Sequence, residues 1–353
     1  MGKSKILIVN NYSMKESLKQ VNDGILPRHH VWGIDKLNEY FNLRFITYKC
    51  PKFFVKTHLA RLYYHYFQLK VLLFCFGCNH VYAAASPLID LLASLKYKKL
   101  ISKKLFMVVH HPGNFSLQKK AYDKLFFITK VAYDQACMDY GNKRHLFIYN
   151  EWGPDMNFYR IHTYNKIKHK EKTSFISIGK ANRDYNTLIA ASRNINATTS
   201  IICTKRSQPT NYNYKTDMNV KMLVQTDDTL ISGNLMSYSE MVQTLSNYDV
   251  TVIPIPHGHK GLCGLTSFND ALALGKPIII ANSANIGIDI EKEGFGFIYT
   301  AGDIQDLKEK MNRFIQVPTL IESMGKRAYE YACINDNSKF SNTILSEIKS
   351  RTI

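Results

Sequence analysis

Residues 250–287, VTVIPIPHGHKGLCGLTSFNDALALGKPIIIANSANIG, decide the reading of this chain. Val250-Thr251-Val252-Ile253 is a β-branched apolar run of the kind a buried strand needs, and Pro254 ends it. A glycine-rich loop follows over 257–264, then an apolar helical pattern over 267–274 that Gly275-Lys276-Pro277 stops. Ile278-Ile279-Ile280 is the next buried strand. Strand, loop, helix and strand make one βαβ unit of a parallel sheet. Its loop delivers a helix N-terminus, where backbone N–H groups and the helix dipole attract an anion. Thr266 and Ser267 stand where an N-cap hydroxyl would face that anion, and Asp270, one turn further, would accept hydrogen bonds from a ribose.

The run G-L-T-S-x-x-D-A-L-A-x-G-K-P over 264–277 resembles the donor-binding segment of the two-domain nucleotide-sugar glycosyltransferases of the GT-B group, family 4 above all. The resemblance implies an α/β fold of two Rossmann-like domains facing each other across a cleft. It also implies a nucleotide sugar as co-substrate, taken here as UDP-linked, with no further cofactor. Gly264, Leu265, Thr266, Ser267 and Asp270 fall in that donor-binding segment, and Lys260 in the loop before it is a further candidate donor ligand. The family carries a first glutamate eight residues before the second acidic position, and here Leu262 stands there, with His259 and Lys260 nearby. Retention is the family's expectation; without that glutamate, inversion by a side-chain base stays open.

At 353 residues the chain suits two domains, expected over 1–160 and 161–335, with a helix over 336–353 returning to the first. An apolar content of 45% excludes a disordered polymer. Seven cysteines, an odd number spread from Cys50 to Cys333, point to reduced thiols in a cytosolic setting. Met1-Gly2-Lys3-Ser4-Lys5 runs directly into an apolar strand, so no signal peptide is expected. No run reaches the roughly 18 apolar residues of a membrane span.

The formal charge of +18 is uneven. Residues 1–160 hold 24 Lys+Arg against 10 Asp+Glu, a net of +14, and 161–353 hold 22 against 18, a net of +4. The excess gathers in Lys96, Lys98, Lys99, Lys103, Lys104, Lys119, Lys120 and Lys124. Such a face suits a solvated surface, a nucleic acid or an anionic membrane. In a GT-B protein the N-terminal half binds the acceptor, so the resemblance implies a lipid-linked glycan at the cytoplasmic face of the membrane.

Lys5 to Asn10 reads as the first strand, 11–30 as a polar loop and Val31 to Tyr40 as a helix. Arg28-His29-His30 would stand at the C-terminal edge of the sheet, where His30 is a candidate acceptor ligand or base. From Phe54 to Phe76, apolar residues Val55, Leu59, Leu62, Tyr66, Leu69, Leu73 and Phe76 recur at helical spacing, interleaved with Lys56, Arg61, His65 and Lys70. Basic residues among aromatics suit a membrane-interface helix. A helix docked on its own sheet shows the same stripe, and docking is the expectation for most of its length. The strand Lys104–Val109 ends in His110-His111-Pro112-Gly113, which resembles the family's N-domain strand whose histidine faces the donor sugar; His110 matches, with His111 beside it. Residues 149–159, YNEWGPDMNFY, resemble the family's interdomain crossing.

Ser174 to Ile178 opens the second domain as a strand, followed by Gly179-Lys180-Ala181-Asn182-Arg183 and a helix from Thr187. Gly179 is expected to permit a tight turn, and Lys180 and Arg183 bring two cations to a helix start, as a diphosphate requires. Asp303–Phe314, Leu320–Cys333 and Lys339–Ile348 read as helices. Zinc spacing, a P-loop and a Gly-x-Ser-x-Gly elbow are all missing, and Asp227-Asp228 does not follow a buried strand. The leading expectation is therefore metal-independent sugar transfer. A sugar-nucleotide epimerase of the same fold and a basic nucleic-acid-binding protein are the alternatives. The second lacks any recognition motif.

Overall fold

The computed structural model describes residues 3–51, 53–55, 57–111, 116–162, 172–213, 215–225 and 236–351. Lys56, Pro112-Gly113, residues 163–171 and Asp227-Asp228 lie outside them. The chain divides into two compact units, Met1–Gly153 together with Asn337–Ile353, and Pro154–Asp336.

In the first unit the elements run β1 (Lys5–Asn10), α1 (Met14–Asn22), α2 (Ile34–Tyr40), β2 (Asn42–Thr47), α3 (Leu59–Phe74), β3 (His80–Ala83), α4 (Asp90–Tyr97), β4 (Lys104–Val109), β5 (Lys124–Phe127), α5 (Lys130–Asp139) and β6 (Phe147–Tyr149). The second unit adds α6 (Met156–His162), β7 (Ser174–Gly179), α7 (Tyr185–Ser192), β8 (Thr198–Thr204), β9 (Val220–Gln225), α8 (Tyr238–Ser246), β10 (Val250–Ile253), α9 (Leu265–Ala273), β11 (Ile278–Ala281), β12 (Gly296–Tyr299), α10 (Ile304–Gln316) and α11 (Thr319–Ile334). The last helix, α12 (Asn337–Lys349), belongs to the first unit.

Each unit is built on a six-stranded parallel sheet, ordered β2-β1-β3-β4-β5-β6 in the first and β12-β11-β10-β7-β8-β9 in the second. Parallel strands need a crossover between them, and the intervening helices cover both faces of the sheet. That is why β3 and β10 are buried along their whole length, with no polar alternation.

Four departures from the sequence reading have physical causes. The stretch 11–30, expected as loop, contains α1, capped by Ser13, whose hydroxyl accepts from the Glu16 N–H. The expected helix over 31–40 is broken: a 3₁₀ turn at Arg28–Val31 leads into Trp32 and Gly33, both at positive φ, before α2. A Cβ on Gly33 would lie 3.3 Å from Ser341 Cα, so α12 crosses at the residue that lacks a side chain. Helix α9 starts at Leu265, not Ser267, with Gly264 at its N-cap in the left-handed region at φ 86°. A Cβ there would also lie 2.6 Å from Ile253 Cγ2. Finally, the apolar stripe of α3, expected to dock on the sheet, faces outward.

Candidate functional site

Strands β7 and β10 are neighbours in a parallel sheet, so their C-terminal loops emerge side by side. The β7–α7 loop carries Lys180, Asn182 and Arg183, and the β10–α9 loop ends at the first turn of α9. Arg183 joins the two. Its Nη1 donates to Cys263 Sγ at 3.2 Å and its Nη2 to Ser267 Oγ at 3.2 Å. Carbonyls of Ala181 and Asn182 take further bonds from Nη1. The guanidinium therefore lies at the start of α9, where the first N–H groups of a helix have no intrahelical acceptor.

Gly179 serves this arrangement by close approach rather than by a tight turn. Its φ is not in the left-handed region, but an added Cβ would lie 2.5 Å from Arg183 Nε. Only glycine lets the arginine fold back over the strand end.

Ser267 is not an N-cap. It is buried, and its hydroxyl donates to the Ile178 carbonyl at 3.0 Å, tying α9 to β7. Thr266 and Lys260 are exposed, and Leu265 is partly buried. The loop between them is anchored by Asn285, whose side-chain amide donates to the carbonyls of His259 and Gly261.

A cavity of about 330 Å³ opens beside Arg183, walled by Asn182, Tyr185, Arg206, Gln208 and Pro256 among others. Arg206 comes from the β8 edge, where Thr204 Oγ1 donates to the Lys180 carbonyl at 3.1 Å and so ties the second cationic loop to the first. Among the described residues, none of Lys180, Arg183, Arg206 and Lys260 forms an ion pair with a carboxylate. Four uncompensated cations thus gather at one sheet edge. Arg206 meets Arg183 only because β8 lies next to β7, which sequence spacing does not reveal.

Asp270, expected at a ribose, is placed differently. It is 1% exposed, and the phenols of Tyr159 and Tyr238 both donate to its Oδ1. Burial raises its pKa to about 6, against the opposing pull of the two phenols. In this position the carboxyl links α6, α8 and α9 inside the unit, and no part of it reaches the cavity wall. Tyr159 and Tyr238 were not singled out in the sequence, because their convergence on one carboxyl joins positions 111 and 32 residues away from it.

In the first unit two of the three candidate histidines, His30 and His110, sit beside two tryptophans. Trp32 and Trp152 stack with centroids 5.0 Å apart, and Trp152 Nε1 donates to the His29 carbonyl. His30 lies 4.5 Å from the His29 ring and 6.0 Å from Trp152. His110 meets Trp32 edge-on at 4.5 Å, with Nε2 2.9 Å from the Ala84 carbonyl. A carbonyl can only accept, so Nε2 carries the proton. Burial pushes the His110 pKa down to about 4, so the ring is neutral near pH 7 and a weak general base there. His111 follows at the strand end, partly buried.

Two six-stranded parallel sheets, one in each unit and each with its crossover helices, define the fold class. This is the GT-B glycosyltransferase fold. The chain has a TM-score of 0.69 to a sucrose-phosphate synthase from Thermosynechococcus elongatus, at 10% identity over 99% of both chains. It has a TM-score of 0.61 to HepE of Anabaena solved in complex with UDP, at 15% identity over 98% of this chain and 100% of that one. WaaG, a glycosyltransferase involved in lipopolysaccharide biosynthesis, gives 0.61 at 12% identity over 96% and 98%. No protein-family model and no curated protein matches the sequence.

Proposed function

We propose that this protein is a glycosyltransferase that moves a sugar from a UDP-linked donor to a lipid-linked or surface-polysaccharide glycan, with retention at the anomeric carbon. The observation that carries the reading is the meeting of Arg183 with the first turn of α9, beside a cavity that also holds Arg206. A nucleoside diphosphate leaving group gains negative charge as the anomeric C–O bond breaks. Fixed positive groups aimed at that charge are the largest single source of rate in such a reaction. Arg183, Lys180, Arg206 and the α9 N-terminus, gathered at the ends of β7, β8 and β10, support the reading as the groups that would meet that charge.

The base and ribose would occupy the cavity between the β7 and β8 loops. The phosphates would lie toward α9. In this reading Asp270 holds the shape of the site from behind, and the neutral His110 acts as a hydrogen-bonding group rather than as a base. The proton of the acceptor hydroxyl is then taken by the leaving phosphate itself. The reading assigns charge stabilisation to these side chains and to the α9 backbone. HepE, solved with UDP, has the same fold and supports the choice of donor. WaaG, a glycosyltransferase involved in lipopolysaccharide biosynthesis, supports a glycan acceptor.

The test is UDP release from a panel of UDP-sugars, with and without chelator. Slow UDP formation from one sugar, unchanged by EDTA and accelerated by a lipid-linked glycan, is expected. A panel in which no nucleotide sugar binds or turns over would contradict the proposal.

A further inference from the structure

Helix α3 presents its apolar stripe outward. Leu62 is 64% exposed, Tyr66 58%, Leu69 56% and Leu73 67%, with Leu59 and Phe76 exposed at either end. The inward face is narrower and partly polar: Phe67, Gln68 and Val71 are buried, and Gln68 donates to the Leu88 carbonyl. A helix whose larger apolar face points into solvent is incompletely partnered.

The charge around the stripe says what partner suits it. From residue 40 to residue 89 the sequence has no Asp or Glu at all, and it carries Arg44, Lys49, Lys52, Lys56, Arg61 and Lys70. Arg61 and Lys70 belong to α3 itself. A twofold contact between two copies would set this surface against itself, cation to cation with no acid to pair. The lysine cluster over 96–124, by contrast, is largely spent within the unit. Lys96 and Lys104 pair with Asp123, Lys120 with Asp90 and Lys124 with Glu347, while Lys103 donates to the Cys78 carbonyl.

We infer that the outward face of α3 lies in the interface of an anionic lipid membrane, its leucines among the acyl chains and its cations at the headgroups. No helix of the described residues is long and apolar enough to cross a membrane, so the helix lies in the plane of the surface. The inference stands apart from the donor-site reading, because it concerns a different unit and a different ligand.

Co-sedimentation with phosphatidylcholine vesicles, with and without phosphatidylglycerol, tests it, with UDP affinity and thermal melting run on the same proteins. Wild type is expected to bind the anionic vesicles and to leave them as salt rises. Leu62→Gln/Leu69→Gln/Leu73→Gln changes only exposed positions and should lower binding about a hundredfold, as three lost apolar anchors predict. Arg61→Glu/Lys70→Glu should lower it about tenfold or more. Equal binding to neutral vesicles, or a leucine variant that binds like wild type, overturns the inference. So does light scattering that shows a dimer dissolved by the leucine changes in a protein that ignores vesicles; the face would then belong to a second copy.

Discussion

Asp270 shows how much one residue's surroundings decide. In the sequence it is an acid one turn into an anion-binding helix; in the fold it is sealed under two phenols. Its pKa rises from 3.8 to about 6 because burial disfavours the charge. The folded state then holds this proton where the unfolded chain has lost it, so the contribution to stability falls as pH rises from about 4 to about 6 and levels off above. Asp270→Asn should remove that part of the profile. Urea denaturation across this range should show the difference between wild type and variant changing by up to about 3 kcal/mol and then staying constant. A flat difference throughout would mean another group titrates. Gly179→Ala tests the close approach of Arg183. The melting temperature should hold, since the clash is with a flexible side chain, while UDP affinity should fall roughly tenfold, the loss of about one charge-assisted hydrogen bond.

At the scale of elements, the sequence was most legible where one physical signal dominates. The buried strands of both sheets are β-branched or aromatic runs, and the β10–α9–β11 unit is punctuated by Gly264 and Gly275-Lys276-Pro277 as strongly as any stretch in the chain. Helix α1 was missed although Ser13 and Glu16 form the spacing of an N-terminal cap, because its polar surface hid Met14 and Leu18. The break at Trp32 and Gly33 was not visible, because its cause is α12, some 300 residues away by the numbering of Gly33 and Ser341. The direction of the α3 stripe was beyond reach for a similar reason: periodicity gives the existence of an apolar face but not the side on which a partner stands. Helix α12 fills its own place in the first unit, where Phe340 is fully buried with its ring 6.2 Å from Trp32. Phe340→Ala should cost about 3–5 kcal/mol of stability by denaturant unfolding. A loss below about 1 kcal/mol would mean that α12 adds little to the unit.

Across the whole molecule, charge and shape divide the work. The first unit holds most of the positive excess, yet several of its lysines are neutralised within it. The second holds a small excess, yet its cations at the β7, β8 and β10 edges are left unpaired among the described residues. Net charge alone therefore does not locate the unpaired cations of the second unit. The cationic loop after β7 was readable as Lys180 and Arg183, but Arg206 joins it only through the strand order. The central claim is that this edge binds a nucleoside diphosphate, and calorimetric titration of UDP into wild type and Arg183→Ala tests it most directly. Wild type should bind UDP, and the folded variant should bind it about 1.5–3 kcal/mol more weakly, the range for a hydrogen bond to a charged group. Equal affinity in the two proteins, or no binding to either, would contradict the account.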